Sequence, residues 1–159
     1  MKQEDIRSAR QTAFSLLGGS ETVFDSSPRL RRVRRYVKEH LSGRIRLEDA
    51  ASAAGLERRY FSTYFHRETG IKFREWLAIL RVARAIELLR RRDLTLEQVR
   101  SACGFGDRRT FQRTFKRWVG MTPSSFRRGA LPTTEWREVA RWIRTEPAPT
   151  VVRTLGNRY

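Results

Sequence analysis

The chain of 159 residues has one cysteine, two histidines and five prolines, and its 17 acidic residues are outnumbered by 34 lysines and arginines. A single cysteine excludes an intrachain disulfide and a Cys-based zinc cluster. His40 and His66 have no second His, Cys or carboxylate at ligand spacing, so neither a metal nor a cofactor is expected. No apolar run approaches the roughly 20 residues of a spanning helix. The start, MKQEDIRSARQ, carries acids and lacks the apolar centre of a signal peptide, which points to a soluble protein of a reducing cytosol. Carboxylates suited to general acid–base work are missing as well. Glu48 with Asp49, and Glu135 with Glu138, read as surface acids, and Cys103 before Gly104 reads as a small buried hydrophobe, so no enzyme is expected.

What remains is basic and aromatic. The formal charge is +17 and the calculated pI about 11.5, which attracts polyanions: nucleic acid, an anionic membrane face or an acidic protein. A hydrophobic content of 39%, with four Trp and nine Phe, gives a folded domain rather than a disordered basic tail.

Helical periodicity recurs along the chain and strand alternation is nearly absent. In SSPRLRRVRRYVKEHL, Ser27 reads as an N-cap and Pro28 as the first helical residue, with Leu30, Val33, Tyr36, Val37 and Leu41 on one face. Short helices follow in LEDAASAAG, ending at Gly55, and in ERRYFSTYFHRETG, ending at Gly70. KFREWLAILRVARAIELLRR carries a stripe of Phe73, Trp76, Leu77, Leu80, Ile86 and Leu89, and predicts one helix of about 19 residues, near 28 Å long, with a solvent side near Arg84. A second short pair and a last turn at Thr122–Pro123 complete the pattern.

The short pairs are one module used twice. LEDAASAAGL (47–56) lies over LEQVRSACGF (96–105), and Glu57, Phe61, Phe65 and Gly70 match Asp107, Phe111, Phe115 and Gly120. Each is a helix, a turn with Gly, and a second helix anchored by Phe at i and i+4, the layout of a helix-turn-helix unit. In GFGDRRTFQRTFKRWVG, Phe111, Phe115 and Trp118 turn to the core. Arg108, Arg109, Gln112 and Arg113 project from the N-terminal half of the other face, where Arg can bond guanine O6 and N7 and Gln can bond adenine N6 and N7. Lys116 and Arg117 lie nearer to phosphate.

From IRLEDAASAAG through RRYFSTYFHRETGIKFREWLAILRVARAIELL to LTLEQVRSACGFGDRRTFQRTFKRWVGMTPSSFR, the chain resembles the DNA-binding domain of the AraC/XylS transcription regulators, over about residues 28–128. The most specific part is the closing run of Gly-Phe, Phe-x-x-x-Phe-Lys, Gly, Thr-Pro and aromatic-Arg. The resemblance implies an all-α fold of two helix-turn-helix subdomains (28–71 and 93–129) joined by a long linker helix (72–92), with helical extensions at 1–27 and 130–159. It implies a bacterial, nucleoid-associated protein that places two recognition helices in successive major grooves of double-stranded DNA and contacts RNA polymerase. No membrane partner is implied.

Carried over by position, base-reading places fall at Arg59, Ser62 and Thr63, with Arg58 beside them, and at Arg108, Arg109, Gln112 and Arg113. Phosphate contacts are assigned to Arg46, Arg67, Lys116 and Arg117. The richer set in the second unit gives it more of the expected base discrimination. Arg100 stands where the family usually has a small residue, and is expected to tilt the unit or snorkel outward. Glu57 stands where Ser commonly caps the recognition helix.

Both ends are amphipathic, with Ile6, Ala9, Ala13, Leu16 and Leu17 in the first stretch and Trp136, Val139, Ala140 and Ile143 in the last. They pack on the domain itself, or they dock a protein partner or a second copy, a role that two exposed Trp at 136 and 142 would favour. An architectural or accessory DNA-binding protein of low specificity is the second reading of the chain. A binder of membrane surfaces or acidic proteins is the third.

Overall fold

The computed structural model describes residues 3–18, 23–131 and 133–144, which form ten helices and, among the described residues, no strand. In chain order they are α1 (Gln3–Gly18), α2 (Val23–Ser26), α3 (Pro28–His40), α4 (Leu47–Ala54), α5 (Arg58–Thr69), α6 (Phe73–Leu89), α7 (Leu96–Ala102), α8 (Arg108–Val119), α9 (Pro123–Arg127) and α10 (Thr134–Arg144). The fold is the expected one, two helix-turn-helix units on a linker helix.

Local chemistry sets the boundaries. Ser27 caps α3 by accepting from the Leu30 N–H at 3.3 Å, with Pro28 at the first helical position. Thr95 and Gln98 close a capping box on α7. Gly55, Gly70 and Gly120 end α4, α5 and α8 in left-handed conformation.

In the first unit Phe24 of α2 stacks on Trp76 with ring centroids 5.1 Å apart, and Phe61, Phe65 and Phe73 fill in around that pair. The second unit repeats the arrangement on a smaller scale, Phe105, Phe111, Phe115 and Phe126 forming a chain of ring contacts at 5.1–6.0 Å. Edge-to-face and tilted geometry suits the ring quadrupoles. Cys103 is fully buried, and burial pushes its thiol up to about 12, which removes the thiolate that redox chemistry would need.

Two expectations are corrected. α6 spans 17 residues, about 25 Å, rather than 19, because Arg90 ends it and the Arg91–Asp93 ion pair at 2.8 Å closes the turn beyond. Nor does it have an open solvent side. Ile79, Val82 and Ala85 are fully buried and Arg84 is only half-exposed, since α1 and α10 lie along the flank left by the two units. Trp136 is accordingly buried rather than exposed, meeting Phe14 of α1 edge-on at 5.1 Å, so it offers no docking surface. The side chains of Leu16, Leu17, Trp142 and Ile143 lie outside the described residues.

The units also touch directly. A Cβ on Gly104, in the turn of the second unit, would lie 2.4 Å from the Leu41 carbonyl oxygen of the first. Beside this contact, Arg81 of α6 donates to the Gly43 carbonyl at 2.8 Å and lies over the Phe105 ring at 6.0 Å.

Gly104 and Gly120 therefore separate backbone conformation from packing. With φ 90° and open space around it, Gly120→Ala should cost about 1–2 kcal/mol, the left-handed penalty alone. Gly104→Ala, at φ 76°, should cost at least twice as much in urea unfolding because backbone must also move. Equal losses would mean that the two units are not in register at Gly104.

Candidate nucleic-acid interface

The residues of α5 and α8 divide by helical period. Phe61, Tyr64 and Phe65 in α5, and Phe111, Phe115 and Trp118 in α8, are buried. This leaves Arg58, Arg59, Ser62, Thr63 and Arg67 exposed on the first helix, and Arg108, Arg109, Arg113, Lys116 and Arg117 on the second. Gln112 is half-buried, its side chain leaning toward a recess of about 450 Å³ that Arg108, Arg100 and Arg127 also line.

Both helices open on one face. A cleft of about 670 Å³ has Ser62, Thr63 and His66 of α5 on one wall and Thr114, Arg117 and Trp118 of α8 on the other, with the start of α6 as its floor. Of the base-reading candidates Ser62 and Thr63 line this cleft, whereas Arg108 and Gln112 line the separate recess beside α7 and α9.

Their electrostatics differ. In the first unit Arg58 pairs with Glu48 at 2.9 Å, Arg46 with Asp49 at 3.3 Å, and Arg67 with Glu68 at 2.9 Å. Asp49 is held below the usual carboxylate range, chiefly because the Arg46 backbone N–H donates to it. On α8 Arg108, Arg109 and Arg113 make no ion pair among the described residues, while Arg117 of the same helix is held by Glu75 of α6 at 3.6 Å. Of the two recognition helices, α8 carries more cations without an ion pair among the described residues.

The N-termini differ too. Asp107 caps α8 by accepting from the Thr110 N–H at 2.8 Å, and that bond is the main reason its carboxyl lies below the ordinary range. Glu57 occupies the same place on α5 and makes no side-chain cap, its backbone carbonyl alone accepting from the Tyr60 and Phe61 N–H groups. Arg100 does not snorkel outward. It lies across the second unit's turn, Nε and Nη2 donating to Glu97 and Nη1 to the Phe105 carbonyl, and so ties the turn to its own helix.

One residue escaped the sequence reading. The Nε and Nη2 of Arg127 are buried without a hydrogen-bond partner, beside Arg108 and Gln112 in the same recess. The only signal was its place as the closing Arg of the Thr-Pro run, which gives no orientation.

This geometry defines a protein with two helix-turn-helix units, each exposing basic side chains on its second helix. Residues 50–129 match the model of a helix-turn-helix domain family. The regulatory protein PocR of Salmonella typhimurium is 33% identical over 99 residues, 62% of this chain and 33% of its own length. An uncharacterised transcriptional regulator of Escherichia coli, YijO, is 31% identical over 136 residues, 80% of this chain and 48% of its own length. The chain thus spans a third to about half of these relatives. Among solved structures, the DNA-binding domain of AdpA in complex with a target DNA superposes with a TM-score of 0.58 at 31% identity, covering 62% of this chain and 88% of that one. The C-terminal domain of AraT, a response regulator from Geobacillus stearothermophilus, gives 0.62 at 29% identity over 68% and 90%. The chain belongs to the AraC-type helix-turn-helix family.

The unequal caps are testable. Glu57→Ser should stabilise the protein by about 1 kcal/mol in chemical unfolding, by supplying the missing acceptor. For Asp107 the folded-state pKa is depressed, so its contribution is complete above the unfolded value near about 4 and is lost as pH falls through the lower folded value. Asp107→Asn keeps a capping oxygen and should flatten that part of the acid-unfolding curve, read by circular dichroism.

Proposed function

We propose that the chain is a sequence-specific regulator of transcription that lays α5 and α8 into successive major grooves of double-stranded DNA. The observation that carries this reading is a pair of matched helices, each anchored by Phe at i and i+4 and exposing basic and polar side chains on the opposite side. The complex formed by the related AdpA domain supports DNA as the ligand.

In this reading Arg108, Arg109 and Arg113 read guanine edges and Gln112 an adenine. The first unit reads less, through Arg59, Ser62 and Thr63, because Arg58 is already occupied by Glu48. Arg46, Arg67, Lys116 and Arg117 contact phosphate. An RNA polymerase contact is part of the proposal on the resemblance of the sequence alone, and transcription in vitro from a selected site tests it.

Selection of duplexes from a random pool, followed by footprinting, should enrich one sequence and protect two adjacent major grooves. A pool that stays random would favour the architectural reading. With about six to ten phosphates neutralised, log K against log salt should fall with a slope of roughly −5 to −9, and a slope shallower than about −2 would overturn the electrostatic part.

Arg109→Ala or Arg113→Ala should cost about 1–3 kcal/mol on the selected site and relax one base position, while Lys116→Ala weakens all sequences alike. Equal losses from Arg109→Ala and Lys116→Ala on specific and random duplexes would exclude base readout by α8.

A further inference from the structure

α1 and α10 lie outside residues 50–129, yet one turn of α1 reaches both recognition helices. Arg10 Nη1 donates to the Trp118 carbonyl, in the last turn of α8, at 3.2 Å. Two residues on, the Thr12 methyl lies against Gly70, the residue that ends α5, 3.4 Å from where a Cβ would stand. α1 is itself held down by α10 through Phe14 and Trp136, and both lie on α6. The C-terminal ends of the two recognition helices are thus tied to one short segment of a third helix.

These ties are separate from the contact of Gly104 with Leu41, which joins the second unit's turn to the end of α3. Two bodies joined along one seam, here α6 with the Gly104–Leu41 and Arg81–Gly43 contacts beside it, can still turn about that seam, and an attachment elsewhere removes the turn. From these attachments we infer that α1, seated by α10, is a brace that fixes the distance and angle between the recognition helices, so that the protein selects the spacing between half-sites as well as their bases. Arg10, Thr12 and Phe14 are then positioning residues for specificity, although none faces the DNA groove.

The consequence is geometric and rests on the two-groove reading. Inserting one base pair between half-sites moves the second by about 3.4 Å along the axis and turns it by about 35°. A braced pair cannot follow that displacement, and the second unit loses its base contacts. An unbraced pair can turn about the Gly104–Leu41 contact and regain them.

The test uses the full chain on three duplexes, the selected site and versions with one base pair added or removed between its halves. Wild type should weaken about 30-fold or more on either altered spacing. The Arg10→Ala/Phe14→Ala double variant should bind the selected site within about fivefold of wild type and lose less than about fivefold on the altered ones. General destabilisation would weaken all three duplexes alike and leave the ratio unchanged. If the double variant loses helicity, Arg10→Ala alone, which removes no core side chain, makes the same comparison. A wild type indifferent to spacing, or variants with an unchanged ratio, would overturn the brace and leave two-groove binding standing. A wild-type footprint over a single groove would overturn both.

Discussion

The burial of α6 is the constraint on which the rest of the molecule depends. Ten of its 17 residues are buried, and they lie on more than one face. A helix so covered in a small protein needs partners all round, and the two helix-turn-helix units supply only some of them. The terminal helices supply the rest. Because the linker serves the cores of both units, the matched Phe pairs of α5 and α8 are carried on one common helix.

Within that frame the two units share a backbone and differ in chemistry. α8 is capped by Asp107 and carries Arg108, Arg109 and Arg113 without ion pairs among the described residues, whereas α5 lacks a side-chain cap and sits among arginines already paired with Glu48, Asp49 and Glu68. Partners already present lower what a cation gains from a new one, because the first pair must be broken before the second forms. The repeat preserves the architecture and lets the chemistry of its exposed faces diverge.

Much of this was legible in the sequence, for identifiable reasons. Gly55, Gly70 and Gly120 end helices because their left-handed backbone is open mainly to glycine, and Ser27–Pro28 marks a start that few other pairs would. The face shown by α8 followed from Phe111 and Phe115 because the helical period fixes what lies opposite. Residues brought together from distant segments were not legible. The seat of Trp136 against Phe14, the clash that reserves position 104 for glycine and the orphaned guanidinium of Arg127 all depend on tertiary neighbours. Arg100 is intermediate: its departure from the small residue usual in the family was visible, but its bond to the Phe105 carbonyl was not.

The pairing of Phe14 with Trp136 also bears on how the chain is made. These residues lie about 120 positions apart, so at synthesis rates of about 5–20 residues per second α1 waits on the order of ten seconds for its partner to emerge. Both helix-turn-helix units can collapse on their own aromatic clusters in that interval, while the apolar flank of α6 stays uncovered. The nascent chain therefore passes through a stage in which its local modules are formed and the contact of α1 with α10 is not, with Ile86, which borders a recess beside Trp136, open to any apolar surface nearby.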